Sequence, residues 1–360
     1  MSKDCATLAE LGEKQVVREL ITRLRPNGVL LDGVGHDAGF ADLALSRDEV
    51  AVLNTDRSGE NLAYKLGLAG PEAVGDLAVS HAVSDVAVAG GDPYLLTVCL
   101  LLPQETTLGY AKRLMDGVES AADRWGIAIA SGDTKKNASI AIVVTVMGKV
   151  KRSQRLSRSG AKAGDLLVVT GQLGTMFTAA RAYQTGTEIP AFLQARLKDA
   201  LVNQHPPIEL GLALSRSGVA RAGTDISDGL PSAIFDLCKL NRLGASLDVN
   251  DVPVAEDVRR FAKSSMEINR ESLISANGDW QFLYAIPKEN LERAQRIALE
   301  FGATLSTVGF FTAGLTIAAR GEDGQLRHLN LLENDAFSQV ENKNYFEFLA
   351  SNPPLLGPVL

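Results

Sequence analysis

Cysteine is scarce in this chain: Cys5, Cys99 and Cys238 are the only three among 360 residues. They lie far apart, form no CxxC and cannot all pair, so neither a disulfide framework nor a thiolate zinc site is expected. Cys99 falls inside the apolar run 95–102 and reads as core. Cationic side chains are in the minority. Lys and Arg number 36 against 43 Asp and Glu, a net charge of -7, with the signs interleaved. Non-specific nucleic-acid binding needs a basic face to neutralise phosphates, and no basic tail is present. No apolar stretch reaches the ~20 residues that span a bilayer. Met1 to Glu13 is charged and lacks the apolar segment of a signal peptide. A cytoplasmic protein with no membrane or nucleic-acid partner is expected. The P-loop pattern GxxxxGK(S/T) is also missing. Gly33-Val34-Gly35-His36-Asp37-Ala38-Gly39 approaches a Rossmann glycine loop, but its last glycine comes one position late.

What is present is a series of short acidic motifs: Gly35-His36-Asp37-Ala38, Asn54-Thr55-Asp56, Ser84-Asp85, Ser131-Gly132-Asp133-Thr134 and Asp225-Ile226-Ser227-Asp228-Gly229. Each sits at or near the end of an apolar run. A lone Asp beside Gly is a turn residue. Several such ends brought together would form a cage of hard oxygen ligands, which suits Mg²⁺ held jointly by carboxylates and substrate phosphates.

The length corresponds to roughly two domains at about 150 residues each. Helical spacing predicts helices over 9–25, 72–89 (with one apolar face), 107–125, 175–185, 191–202, 208–216, 230–240, 254–264 and 289–300. Strands are expected at 29–31, 49–54, 94–102, 127–130, 140–148, 166–170, 244–248, 282–286, 303–309 and 315–319. The mixture is an α+β texture in both halves. Residues 151–165 form a polar, glycine-containing connector. The expected division is therefore an N-terminal domain over 1–150, a C-terminal α/β domain over 151–330 and a tail over 331–360 that wraps the body or is partly disordered.

Each acidic motif has a plainer reading beside the functional one. Asp133 is either a metal ligand or an ordinary residue of the hairpin turn expected over 131–137, where Lys135 and Lys136 supply charge for phosphate. Asp225 and Asp228 are either a carboxylate pair at a helix start or the N-cap of helix 230–240. Asp85 lies among Ala82, Val83, Val86 and Ala87, where an idle carboxylate is costly. His36 and His81 are either acid/base or ligand groups or hydrogen-bonded partners of Asp37 and Asp85. His81 and Asp85 are four apart on one helix and therefore neighbours.

The order and spacing of these motifs resemble the thiamine-monophosphate kinase family, within the ATP-binding superfamily of aminoimidazole ribonucleotide synthetase, selenophosphate synthetase and the hydrogenase-maturation dehydratase. The similarity covers roughly 11–310. Gly12-Glu13, Gly35-His36-Asp37-Ala38, Asn54-Thr55-Asp56, Ser84-Asp85 with Gly90-Gly91-Asp92-Pro93, Ser131-Gly132-Asp133-Thr134, the connector 158–165 and Asp225 to Leu230 match family motifs in order. The resemblance implies two α/β domains, with N-terminal strands joining a second subunit in a dimeric barrel and ATP in the cleft between the domains. It implies Mg²⁺ ligands at Asp37, Asp56, Asp85, Asp133 and Asp228. Gly132, Thr134 and Arg158 would contact the nucleotide and Lys136 its phosphates, and the reaction would be phosphoryl transfer from ATP to a small molecule.

The departures fall in two places. His36 replaces an Asp, and imidazole is a poor Mg²⁺ ligand. On the acceptor side, the family's Gly-Gly-Glu-Asp-Tyr-Glu-Leu reads Ala276-Asn277-Gly278-Asp279-Trp280-Gln281-Phe282, and Arg57 to Tyr64 also departs. A retained ATP apparatus with a changed acceptor is the expectation. Arg57 suits an anionic acceptor, Trp280 suits a flat ring, and Asp279 remains. Each also has a structural reading, as surface Arg or core Trp. The alternatives are an ATP-dependent synthetase or dehydratase that phosphorylates a carboxylate or amide oxygen, and a non-catalytic nucleotide-binding homologue. The ending Gly357-Pro358-Val359-Leu360 lacks the C-terminal cysteine of the hydrogenase-maturation member, and Cys5 lacks the glycines around the selenophosphate cysteine.

Overall fold

The computed structural model describes residues 6–11, 16, 19, 20, 22, 23, 48–332 and 345–360. The strand expected at 29–31, the Gly33–Gly39 loop with His36 and Asp37, Gly12-Glu13 and Cys5 lie outside the described residues. Of the helix expected over 9–25, α1 (Leu8–Leu11) is described, and Val16 and Leu20 are buried. The chain divides into two compact units, Met1–Ala87 with Gly91–Ser153 and Val88–Gly90 with Gln154–Leu360. Strands and helices mix in both, as an α+β fold requires.

The first unit runs β1 (Glu49–Ser58), α2 (Leu62–Lys65), α3 (Pro71–Val88), β2 (Asp92–Leu102), α4 (Leu108–Arg124), β3 (Ala128–Lys136) and β4 (Ala141–Lys151). Its sheet has the order β1-β4-β2-β3. Strand β4 is antiparallel to β1 and β2, and β3 is parallel to β2. Strand side chains alternate between faces, and β2 shows it: Leu96, Val98, Leu100 and Leu102 are buried, while Thr97, Cys99 and Leu101 are half-buried. Cys99 is therefore not core, because it takes the opposite face of its strand. Leu53 on β1, paired with Met147 of β4, is 64% exposed on that same open face.

Helix α4 begins at the cap of Thr107, whose side chain accepts from Tyr110 N, and buries Leu108, Ala111, Leu114, Met115 and Val118. Helix α3 departs from the single apolar face expected of it. It is buried around most of its circumference, and Ser80 and Ser84 are fully enclosed along with the valines. Glycine makes that possible at the helix crossing. A Cβ on Gly75 would stand 2.0 Å from Leu114 O, and one on Gly117 would stand 1.8 Å from Glu72 O.

Residues 131–137 are not a turn. Strand β3 continues to Lys136 and pairs with β2, not with β4. Gly132 serves a close backbone approach instead: its Cβ would lie 2.6 Å from Val98 O. The polar run that resembled a hairpin is an edge strand, where exposed polar side chains are at home.

The second unit runs β5 (Leu166–Thr170), α5 (Thr175–Thr185), α6 (Ala191–Val202), α7 (Ile208–Arg216), β6 (Ala222–Asp225), α8 (Leu230–Asn241), β7 (Gly244–Asp248), α9 (Glu256–Met266), α10 (Arg270–Ser275), β8 (Phe282–Ile286), α11 (Leu291–Glu300), β9 (Leu305–Thr312), β10 (Ile317–Arg320), β11 (Leu326–Leu329), α12 (Tyr345–Ala350) and β12 (Leu356–Val359). The eight-stranded sheet has the order β12-β11-β10-β7-β9-β5-β8-β6. Leu167, Val169, Leu247 and Phe311 from the sheet pack with Leu230, Ile234 and Leu237 of α8. The described part of the tail wraps this unit. Leu349 is fully buried, and β12 joins β11 at the sheet edge. Among the described residues, no helix is long and apolar enough to cross a membrane.

Candidate active site

In the first unit the Asn54-Thr55-Asp56 motif on β1 meets the Ser84-Asp85 motif on α3. Asn54 Nδ2 donates to Asp85 Oδ2 over 2.9 Å, and lies 3.4 Å from Ala82 O. One helical turn away, Ser58 Oγ is 3.3 Å from His81 Nδ1. Burial drives the His81 imidazole down to about 3, so it is neutral near pH 7. A neutral ring can orient neighbours but supplies no proton there. Asn54 stands in the Asn54-Thr55-Asp56 motif, but neither its bond to Asp85 nor the place of Ser58 beside His81 was read from sequence. The only signal was their period-two spacing with Asp56 on one strand face.

Register places Asp56 and Asp133 on opposite faces. Asp56 is level with Val144, and Val144 with Val98, both buried beneath the helices. Asp133 is level with Cys99, Cys99 with Val143, and Val143 with Arg57, a row crossing the open face. Both carboxylates accept the next backbone N–H: Asp56 Oδ1 from Arg57 N at 2.6 Å, and Asp133 Oδ1 from Thr134 N at 2.8 Å. Lys135 Nζ stands 3.8 Å from Asp133 Oδ1, and Lys136 Nζ donates to Gln104 Oε1 at 2.5 Å. Thr134, Lys135 and Lys136 line a cavity of about 140 Å³ with Leu8, Leu102 and Gln104.

In the second unit β6 ends in the buried Asp225, whose Oδ1 accepts from Ser227 Oγ at 3.2 Å. Asp228 is exposed. Neither residue is the N-cap of α8. That position belongs to Gly229, with φ 86° and no side-chain cap bond, because Ser275 O occupies the space a Cβ would need. The connector is pinned by Asn241, which accepts from Gly160 N and Ala161 N and donates to Arg158 O. The Arg158 guanidinium lies 3.7 Å from Asp236 Oδ2.

Asp279 and Trp280 turn inward. Asp279 accepts from Gly174 N at 2.5 Å and Met176 N at 2.9 Å, supplying the start of α5 with the cap its own sequence lacks. Burial raises its carboxyl to about 6 against those bonds. Trp280 is 8% exposed, has φ 50°, and donates from Nε1 to Gln204 Oε1 at 3.2 Å.

Asp and Asn oxygens at these positions are the hard donors that Mg²⁺ takes. Among the described residues, no three His, Cys, Asp or Glu side chains gather at one point. Neither unit forms a metal site of three such ligands from its described residues.

Two family models match the chain: AIR synthase related protein, N-terminal domain, over 35–150, and the corresponding C-terminal domain over 162–320. A thiamine-monophosphate kinase of Mycobacterium tuberculosis is 30% identical over 257 residues, covering 71% of this chain and 74% of that protein. The thiamine-monophosphate kinase of Pyrococcus horikoshii is 29% identical over 287 residues, 79% of this chain and 85% of that protein. Among solved structures, the thiamine-monophosphate kinase of Stenotrophomonas maltophilia superposes with a TM-score of 0.72 at 24% identity, covering 86% and 95% of the two chains, a likeness of fold. The chain belongs to the AIR synthase related family and, within it, to the thiamine-monophosphate kinase-like members.

Proposed function

We propose that this chain transfers the γ-phosphoryl group of ATP, with Mg²⁺, to a small anionic acceptor that differs from thiamine phosphate. Its class, an ATP-dependent kinase-like enzyme, is that of the family to which it belongs. The observation that carries the reading is an unequal retention of motifs. The acidic motifs around Asp56, Asp85, Asp133 and Asp228 stand in family order, whereas 57–64 and 276–282 depart.

Mg²⁺, when bound, neutralises phosphate charge, and phosphoryl transfer depends mostly on positioning and such neutralisation. Asp56 and Asp133 take opposite faces of one sheet and cannot share an ion, so Asp37, Asp56, Asp85, Asp133 and Asp228 would serve as ligands to more than one Mg²⁺. Asn54 orients the Asp85 carboxylate. Gly132 and Thr134 present backbone on β3 to the nucleotide, and Lys136 and Arg158 place positive charge for its phosphates. Arg57, exposed near the end of β1, would meet the anionic acceptor. Asp279 and Trp280 act on the acceptor side by holding the 171–176 and 276–281 segments in shape. The Leu53 and Met147 end of the open face, away from the row of Arg57 and Asp133, would meet the same region of a second copy in a homodimer. The setting would be cytoplasmic.

The test is ³¹P NMR of Mg²⁺ and ATP with the purified protein, across thiamine phosphate, other phosphorylated or carboxylated heterocycles, and simple amides. ADP formed with one acceptor only, together with a new phosphate ester or diphosphate signal, is the expected result. It should be lost in Asp133→Ala. Free phosphate with a ligated or dehydrated product would replace the kinase reading with a synthetase. ATP binding without turnover on any acceptor, unchanged by Asp133→Ala, would leave only a nucleotide-binding homologue.

A further inference from the structure

The C-terminal segment 345–360 lies outside the stretches that the family models match, yet it grips the short helix that abuts the Asp228 loop. Helix α10 ends at Ser275. A helix leaves its last carbonyls without internal partners. Here Tyr345 Oη lies 3.0 Å from Ser275 O and 3.2 Å from Leu332 O, sharing its one proton between them. At the other end of α10, Asn352 Oδ1 accepts from Asn269 N at 2.8 Å and from Ser272 Oγ at 3.3 Å. Asn352 Nδ2 donates to Glu267 O. The helix is thus held at both ends by the tail.

Ser275 O also faces the acidic loop. A Cβ built on Gly229 would stand 2.1 Å from it, so the backbone beside Asp228 rests directly on the carbonyl that the phenol holds. Apolar packing fixes the phenol in turn. Phe346 lies 5.5 Å from Phe177, ring centre to ring centre. Leu349 is fully buried with Phe177, Ala262, Ile268, Leu273 and Ala276.

We infer that Tyr345 is a positioning residue for Asp228: through its hydroxyl on Ser275 O, the C-terminal helix α12 sets the Gly229 backbone and hence the direction of the Asp228 carboxylate. The inference rests on the reading of Asp228 as a ligand for the metal of Mg·ATP. A group that orients a metal ligand changes metal affinity without touching the metal, typically by 10–100-fold when removed. Tyr345→Phe is the sharp variant, since it keeps the ring and its packing and removes only the hydroxyl.

Two measurements test it on the full chain. The first is amide hydrogen exchange, read by mass spectrometry over 226–230. Loss of one hydrogen bond predicts exchange about fivefold faster there in Tyr345→Phe, with exchange over the β5 and β8 strands unchanged. The second is the Mg²⁺ concentration needed for ATP binding, measured by calorimetry at fixed ATP. It should rise about tenfold in Tyr345→Phe, with ATP affinity at saturating Mg²⁺ unchanged. In an Asp228→Asn background, adding Tyr345→Phe should raise it no further. Unchanged exchange over 226–230 would overturn the inference. So would an equal rise in the Asp228→Asn background, which would mean that Tyr345 acts elsewhere. A wild-type protein that binds no Mg·ATP would instead sink the functional reading, and the exchange data would still decide whether Tyr345 holds the loop.

Discussion

Asn54 Nδ2 donates to Asp85 Oδ2 over 2.9 Å, joining the middle of β1 to the last turn of α3. A carboxylate in that apolar helix needs a donor, because burial of an unpaired charge is costly. The same bond aims the carboxylate, so Asn54 links packing to metal chemistry. Asn54→Ala should lower unfolding stability by about 1–2 kcal/mol, the lower part of the range for hydrogen bonds to charged groups because the pair is only part-buried. It should also raise the Mg²⁺ requirement for ATP binding. Urea denaturation and calorimetry on the same preparation check both effects.

His81 makes stability depend on acid. Its imidazole is ordinarily protonated below 6.5, but burial lowers the folded value to about 3. The unfolded chain therefore binds a proton that the folded chain refuses, and stability falls as pH drops from 6.5 toward 3. At pH 5 the loss from this group is about 2 kcal/mol. His81→Gln should remove that part of the slope between pH 7 and pH 4, seen in denaturation midpoints across pH.

Asp279 slopes the other way. Its folded carboxyl is raised from 3.8 to about 6, so the folded chain binds the proton more tightly than the unfolded one. Its contribution is fullest below 3.8 and is lost as pH rises through 6. Asp279→Asn should abolish this term and leave the His81 slope exposed, so the variant loses stability more steeply than wild type from pH 6 to pH 4. Asp279→Ala removes the cap of α5 as well and should cost about 0.5–2 kcal/mol at pH 7, read from the urea midpoint.

Leu53 tests the homodimer. A leucine 64% exposed on the open face of a four-stranded sheet gains little in water and much in an interface. Leu53→Glu should convert a dimer to a monomer in light scattering at micromolar concentration. A dimeric Leu53→Glu variant would place the interface elsewhere, and a monomeric wild type would remove the homodimer from the proposal.

Much of the fold was legible because its signals are local. Helices α4 to α9 and strands β2, β5, β7 and β8 lie where apolar spacing predicted them, within a few residues. Failures came where polar residues carry long-range roles. Gly132-Asp133-Thr134 resembled a turn because glycine beside polar residues signals one. Here the glycine answers to Val98 O on the neighbouring strand. Asp225 and Asp228 resembled caps because they precede a helix, but Ser275 O, far along the chain, required glycine at the cap itself. Helices α10 and α12 and strands β6, β11 and β12 are too short to show a period.

The amino-acid sequence by itself determined the α+β class and the ordered acidic motifs that mark the family, since periodicity and motif order are properties of neighbours along the chain. Only the tertiary structure decided what each carboxylate faces. Asp85 meets Asn54, Asp279 turns into a helix start, Asp56 and Asp133 take opposite faces of one sheet, and the tail clasps the helix beside Asp228. The physical reason is that register and packing pair residues that sequence separates by tens of positions, and a carboxylate's chemistry is set by the donors it meets there.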